Sequence, residues 1–378
     1  MRVVALALAS SSTACAQTPT VVDRVVADVC DEQIVLLGEL PSHGEARAFS
    51  LKAGVVRRLV DDCGFDALLV EAPVYEFVGF EASVRDGTAT PLALDRAIGA
   101  FWHTEGLHDW RRWVFERAAA GELAVGGLDD QPSATSSYAR ETLPALIASE
   151  LPDGLRATCR AAVHRNLHWG YDDEHPYDAD ERARLAECTA EAAEAIASAP
   201  DVDATRQMMA ASLSGFYARQ AEQDGAPSRE AALDRAARWW TSRLPDGAQV
   251  VIWTSTVHAA RETGPLSTRP LGARLAETWG DRLAAIGFSA YGGVSSMAGL
   301  PARAFADAPS GSLEAHAVQN GAPQAYLDRE ALRSLGSVPS RLLGGFDVDA
   351  FRTADWSALF DGVVVVQEEK APAQTDWP

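Results

Sequence analysis

Ile34-Val35-Leu36-Leu37-Gly38-Glu39 and Ala67-Leu68-Leu69-Val70-Glu71 are two short apolar runs that each end in a carboxylate, and the first is followed by Leu40-Pro41-Ser42-His43. Apolar runs of this length, each preceding a helical pattern, read as strands of a parallel sheet covered on both faces. A carboxylate at the end of such a strand is costly to bury unless it is paired or used. Further runs at 123–128, 249–253, 282–288, 325–327 and 362–366 alternate with helical patterns. The chain is therefore expected to be α/β, with a parallel-rich central sheet flanked by helices. Residues 133–223 differ: they are rich in Ala, Arg and Glu, helical in period and without a strand candidate. They read as a helical insertion or subdomain, closed by Gly225-Ala226-Pro227-Ser228, where Ser228 can cap the next helix. The expected organisation is an export signal at 1–16, a first part of the core at 17–132, the insertion at 133–227, a second part of the core at 228–370 and a polar tail at 371–378.

At 378 residues, 47% hydrophobic and 23% charged, the chain has the composition of a globular protein with one large domain or two modest ones. Its 33 basic and 53 acidic residues give a net charge of -20, spread along the sequence, which argues against nucleic acid or an anionic membrane as partner. Arg2, the apolar 3–9 stretch and Ala14-Cys15-Ala16 resemble a signal peptide with a small-x-small cleavage site. A lipid anchor at Cys15 is the alternative, but Ser12 stands where such a motif wants an aliphatic residue. Past this segment no apolar run approaches the roughly 20 residues that span a bilayer. The expectation is a secreted or periplasmic protein. An even count of four remaining cysteines suits an oxidising compartment. Cys30 and Cys63 each precede one of the first two strands and, if those strands are neighbours, share a sheet edge and are the preferred bridge; Cys159 and Cys188 could staple a helical hairpin, and four buried thiols are the alternative. No CxxC or CxxxH spacing suggests a structural zinc.

Ser42-His43-Gly44-Glu45 has the form of a capping box ahead of the apolar positions Phe49, Val55, Val56, Leu59 and Val60. His43 would then be the first helical residue, where the helix dipole disfavours an imidazolium, while Glu39 pulls its pKa the other way. The result expected is a base held in one tautomer. Glu71 ends the second run, Asp129 the third in Gly127-Leu128-Asp129-Asp130-Gln131, and His258 follows the fourth. Ligands of open parallel sheets bind beyond the carboxyl ends of the strands, so these groups are expected to converge. For Asp129 a cap or turn role is the competing reading. Trp102 and His103, ahead of Glu105, could line a pocket for an apolar substrate. His164 and His168 share a helix face but lack a third ligand. Trp110, Trp113, Trp239 and Trp240 are expected to pack helices on the sheet. With no Gly-x-Ser-x-Gly elbow, phosphate loop or dinucleotide fingerprint, the usual serine hydrolases, kinases and dehydrogenases are disfavoured.

The strings Leu37-Gly38-Glu39 through His43-Gly44, Cys63-Gly64-Phe65-Asp66 into Glu71, 127–131, 229–239, Val250-Val251-Ile252-Trp253 with His258, 271–275 and 285–288 resemble, in order and as a set, the erythromycin esterase family. The resemblance implies an α/β core with a helical insertion and metal-free hydrolysis of a macrolide lactone. It also implies a general base at His43, assisted by Glu39, Glu71 and His258, with Lys52 at a basic position of the first helix. The chain departs from the family pattern in three places: one extra residue lies between Glu39 and His43, Ser255 stands where the first histidine of Trp-x-His-Asn-x-His belongs, and Ala236 replaces a helix asparagine. The expected function is thus hydrolysis of an ester, lactone or related acyl bond in a small, macrolide-like molecule. The expected catalytic residues are His43 as base, Glu39 and Glu71 orienting the imidazole and the water, and His258 donating to the developing oxyanion; the expected substrate contacts are Lys52, Trp102, Glu105, Asp129 and Ser255, with no cofactor or metal. A metal-dependent hydrolase built from the same acids and histidines, and a binding protein without turnover, are the alternatives.

Overall fold

The computed structural model describes residues 18–132, 136–169, 177–297 and 300–375. The expected export signal, with Cys15, lies outside the described residues. Strand β1 (Ile34–Glu39) is buried along its whole length, as a continuous apolar run requires of a central parallel strand. Its parallel neighbours are β4 (Val250–Ser255) and β5 (Leu283–Ser295). Beyond β4 lie β2 (Ala67–Pro73) and then β3 (Ala124–Asp129), both parallel. Beyond β5 lies β10 (Gly362–Glu369), parallel to it and paired antiparallel with β7 (Gln324–Asp328). β6 (Arg303–Phe305) folds antiparallel onto the end of β5, while β8 (Ser337–Ser340) and β9 (Arg352–Asp355) form a separate ribbon. The main order is β3-β2-β4-β1-β5-β10-β7. The protein is therefore α/β, with a mixed, mostly parallel sheet flanked by helices.

This order positions the site. β1 and β2 are consecutive in sequence but β4 separates them, so the carboxyl ends of β3, β2, β4 and β1 stand side by side. The two disulfides are Cys30–Cys63 and Cys159–Cys188. The first pairing is the expected one for a different reason: the two strands are not neighbours, and the bond instead joins the ends of the packed helices Val21–Val29 and Ala46–Cys63. The second links helix Asp153–His168 to helix Ala179–Ser198.

Between β3 and β4 the described residues form the helices Tyr138–Ala148, Asp153–His168, Ala179–Ser198, Ala204–Gln220 and Arg229–Thr241, with no strand among them. Leu143, Val163, Leu185 and Leu213 belong to the same buried cluster as the sheet. Ser228 caps the last of these helices, its hydroxyl accepting from Ala231 N at 3.2 Å. Trp240 packs as expected, donating its indole N–H to Gly127 O of β3 at 2.8 Å. His164 and His168 stack on each other, with His168 bonded to the His164 carbonyl on an exposed face.

Candidate active site

The site starts where β1 ends. Gly38 has no side chain because the short helix Thr256–Ala259 crosses it: a Cβ there would lie 2.8 Å from Thr256 Cα. After Glu39 the chain turns sharply, with His43 N bonded to Leu40 O at 3.0 Å and His43 itself at φ 48°. That left-handed backbone is uncommon for a residue with a side chain. Gly44 follows, pressed so closely on Ser296 that a Cβ would come within 2.6 Å of its backbone. The turn aims the imidazole back at its own strand end, Nδ1 lying 2.9 Å from Glu39 Oε1.

This corrects the expected capping box. The helix begins at Ala46, not His43, so Glu45 occupies the N-cap and cannot act from N3. Ser42 bonds the Glu45 carboxylate, whose other oxygen accepts from Gly44 N at 2.9 Å, closing the loop on itself. The helix end is capped from across the sheet by Glu369 of β10, which accepts from Arg47 N at 2.6 Å and Ala48 N at 3.1 Å.

Glu39 is fully buried and fully satisfied, as a buried charge must be. Its Oε1 accepts from His43 Nδ1, from Trp102 Nε1 at 3.2 Å and from Trp253 Nε1 at 3.3 Å. Its Oε2 pairs with Lys52 Nζ, which also donates to Thr254 O at 3.1 Å and sits 4.3 Å over the Trp253 ring. Lys52, expected to touch substrate, is completely buried beneath Glu39. It shares the sheet-facing side of its helix with Phe49 and Val56 and has no exposed surface with which to touch a substrate.

Glu71 lies inside β2, where the β2–β3 register shifts between Val70 and Pro73; such irregularities re-aim side chains. Its Oε2 accepts from Thr254 Oγ1 at 2.7 Å and Ser255 N at 2.9 Å. Its Oε1 faces three groups: Arg229 Nη2 at 3.0 Å, His258 Nε2 at 3.2 Å and His43 Nε2 at 3.8 Å. Arg229 Nη2 also bonds Asp129 Oδ2 at 2.6 Å, and Arg229 Nη1 lies 3.1 Å from His258 Nε2. Behind His258, Glu230 Oε1 holds Nδ1 at 2.6 Å and is itself fixed by Leu271 N, which donates to Oε2 at 2.8 Å.

Two histidines in one cluster thus have opposite environments. Burial lowers the His43 pKa, with Glu71 and Glu45 pulling back, so its ring is neutral near pH 7 with Nδ1–H on Glu39 and a free lone pair on Nε2. Burial also works against a charge on His258, but the Glu71 and Glu230 carboxylates overcome it and push the pKa up to about 10. Burial of Glu71 is likewise outweighed, by His258 and then Arg229, and its carboxyl is held well below the usual range. Pairs of titratable groups driven apart in this way mark acid and base roles.

The structure brings Glu39, His43, Glu71 and His258 together. Asp129 joins them through Arg229, while also capping its own turn by accepting from Gln131 N at 3.1 Å. Ser255 contributes its backbone N–H and the N-cap of the Thr256–Ala259 helix. Trp102 is buried, with its ring 5.3 Å from that of His43. Glu105 is not part of the site: it is exposed in the turn Glu105–Leu107, with its backbone N–H bonded to Ala373 O. His103 faces Thr375, its Nδ1 lying 2.6 Å from that hydroxyl.

Sequence reasoning missed Arg229, Glu230, Trp253 as a donor to Glu39, and Phe101, an exposed ring 5.4 Å from that of His43. Arg229 carries a legible signal, since a cation in the first turn of a helix opposes the dipole and needs local acids. Glu230 carries none, because an acid there is ordinary helix chemistry. Among the described residues no group of three or more His, Cys, Asp or Glu is disposed to hold an ion; Glu39 is bonded to Lys52 and Glu71 to Arg229.

Fold and site define an α/β protein in which buried strand-end carboxylates bracket a neutral histidine, an arrangement suited to activating water. The erythromycin esterase family model matches residues 60–368, and the chain belongs to that family, which supports a hydrolase. The match covers Glu71, Asp129, Arg229, Glu230 and His258; Glu39, His43 and Lys52 precede it. Three solved structures share the fold. A Bacillus cereus protein is 17% identical with TM-score 0.70, covering 93% of each chain. A succinoglycan biosynthesis protein is 15% identical with TM-score 0.70, covering 93% of this chain and 92% of its own. A histidine-to-asparagine mutant of the erythromycin esterase EreC, in its open conformation, is 15% identical with TM-score 0.63, covering 93% and 95%. No curated protein matches the chain.

Proposed function

We propose that the protein hydrolyses an ester, lactone or related acyl bond, with His43 as general base on water. The observation that carries this reading is the bracketed imidazole: Nδ1 is 2.9 Å from Glu39, and Nε2 lies 3.8 Å from Glu71. Glu39 fixes the tautomer and stabilises the imidazolium formed when water gives up its proton. Glu71, already ionised, does not compete for that proton; 3.8 Å from Nε2, it can accept from the water and stabilise the imidazolium once the ring is protonated. His258, expected to donate to the developing oxyanion, has one ring nitrogen on Glu230 and the other on Glu71. We assign the oxyanion contact to the Arg229 guanidinium instead, whose side chain is 40% exposed, with His258 supporting the positive field. The exposed Phe101 ring offers an apolar wall to the acyl or alkoxy group. Macrolide lactones head the substrate panel because of the family. The two disulfides favour an oxidising compartment, and we propose that the protein is exported.

The test is a panel of aryl esters, alkyl esters and macrolactones. His43→Ala is expected to lose at least about a hundredfold in kcat while keeping its far-UV circular dichroism. Full activity in that variant overturns the mechanism.

A further inference from the structure

Where β10 ends, the chain touches both loops that hold the base. Glu369 caps the helix that starts three residues after His43, and Lys370 O accepts from Ala46 N at 2.9 Å. The next residues cross to the opposite wall. Ala373 O accepts from Glu105 N at 2.9 Å, Gln374 forms an antiparallel bridge with Thr104, and the Thr375 hydroxyl lies 3.0 Å from His103 O and 2.6 Å from His103 Nδ1. One residue further on, Trp102 donates to Glu39 and, with Phe101, places its ring against His43. From the inner side the same loop is held by buried Arg111, bonded to Trp102 O and Thr104 O at 3.0 Å each. A loop pinned on one side by a guanidinium and on the other by a passing strand has little freedom to swing away from the imidazole.

We propose that residues 369–375 are a positioning clasp: by tying the His43 turn to the Phe101–Trp102 wall, they hold the imidazole in register on Glu39 and keep bulk solvent, beyond the reacting water, from the ring. The inference rests on the reading of His43 as the base, and it explains why a polar stretch lies ordered along an edge that contributes no residue to the cluster. Loss of the clasp lets the wall loosen and solvates the ring. The groups facing His43 are Glu39 from β1, Glu71 from β2, Glu45 on its own turn, His258 and Arg229, and all of them remain when the clasp is cut.

The experiment ends the chain after Lys370 as the C-terminal amide, so that no new carboxylate forms beside Ala46 N; this leaves Glu369 and the sheet intact. The His43 ring is then titrated by NMR in both proteins without substrate, the resonance being identified by its absence in His43→Gln. The shortened chain is expected to titrate His43 at least about half a pH unit higher, because the ring gains solvent. Its kcat on the best ester of the panel is expected to fall at least about tenfold, a loss of orientation rather than of chemistry. An unmoved His43 midpoint overturns the clasp even if activity drops. A moved midpoint in a protein that hydrolyses none of the panel supports the clasp and sinks the hydrolase reading. If the shortened chain does not fold, Thr375→Pro, which removes both the N–H and the hydroxyl directed at residue 103, carries the same measurement with the same two outcomes.

Discussion

His43 and His258 are the same residue type under opposite instructions, and the pH dependence of the reaction is where the difference is read. A base must be unprotonated, so with its pKa lowered by burial, His43 should keep kcat/KM level to below the ordinary histidine value of about 6.5. The alkaline side should break near the His258 pKa of about 10. Glu230→Gln removes one of the carboxylates that raise it, and the alkaline break is expected to move down by about a unit. A profile with an unmoved alkaline limb would show that the charge on His258 is not used. Stability follows the same linkage. A folded-state pKa raised above the unfolded one stabilises fully below about pH 6.5, and that contribution is lost as pH rises through about 10. Urea denaturation with disulfides intact should therefore find His258→Gln destabilised at about pH 6 and much closer to the parent at about pH 10.

At the scale of elements, the site depends on a strand end and a short helix in unusually close approach. The Thr256–Ala259 helix lies on β1 because residue 38 is glycine, and the nearest atom to an added Cβ is backbone, which cannot yield as a side-chain tip does. Gly38→Ala is therefore expected to cost about 1–3 kcal/mol by overpacking, read from the urea midpoint. The displaced helix carries His258, so kcat should fall as well, by about tenfold or more under conditions where the variant is folded. Retained stability and rate would mean the helix can ride outward without consequence. The start of helix Ala46–Cys63 shows why a capping-box spacing need not cap a helix. Ser42 and Glu45 do pair, but they close the His43 turn, and Glu369, more than 300 residues on, takes over the cap. A local motif records which residues pair; it does not record what a distant strand supplies.

For the molecule as a whole, the sheet order places chemistry at one edge and covalent ties away from it. Cys30–Cys63 joins helix ends that precede β1 and β2, whereas the cluster stands beyond their carboxyl ends. The bridged residues are 33 and 29 apart in sequence. Replacing either pair by alanine should remove about 3 kcal/mol, seen as a fall of several degrees in Tm. The Cys30→Ala/Cys63→Ala protein should keep its kcat at 25 °C. A large loss of turnover without a loss of Tm would place that bond in the mechanism rather than in the scaffold.

The sequence by itself determined the α/β class, because apolar runs of four to six residues between helical patterns leave few other ways to cover a sheet on both faces. It also determined the core of the cluster, since Glu39, His43, Glu71 and His258 follow strands whose carboxyl ends must share an edge. The strand order, with β4 between β1 and β2, came from tertiary structure, as did short β6, β8 and β9, which carry no apolar run. Lys52 below Glu39, Arg229 across Glu71 and Asp129, Glu230 behind His258 and the wall made by Phe101 likewise depended on it. Their roles are set by which groups meet across the sheet, and burial, which decides the charge of each histidine, is a property of neighbours rather than of sequence position.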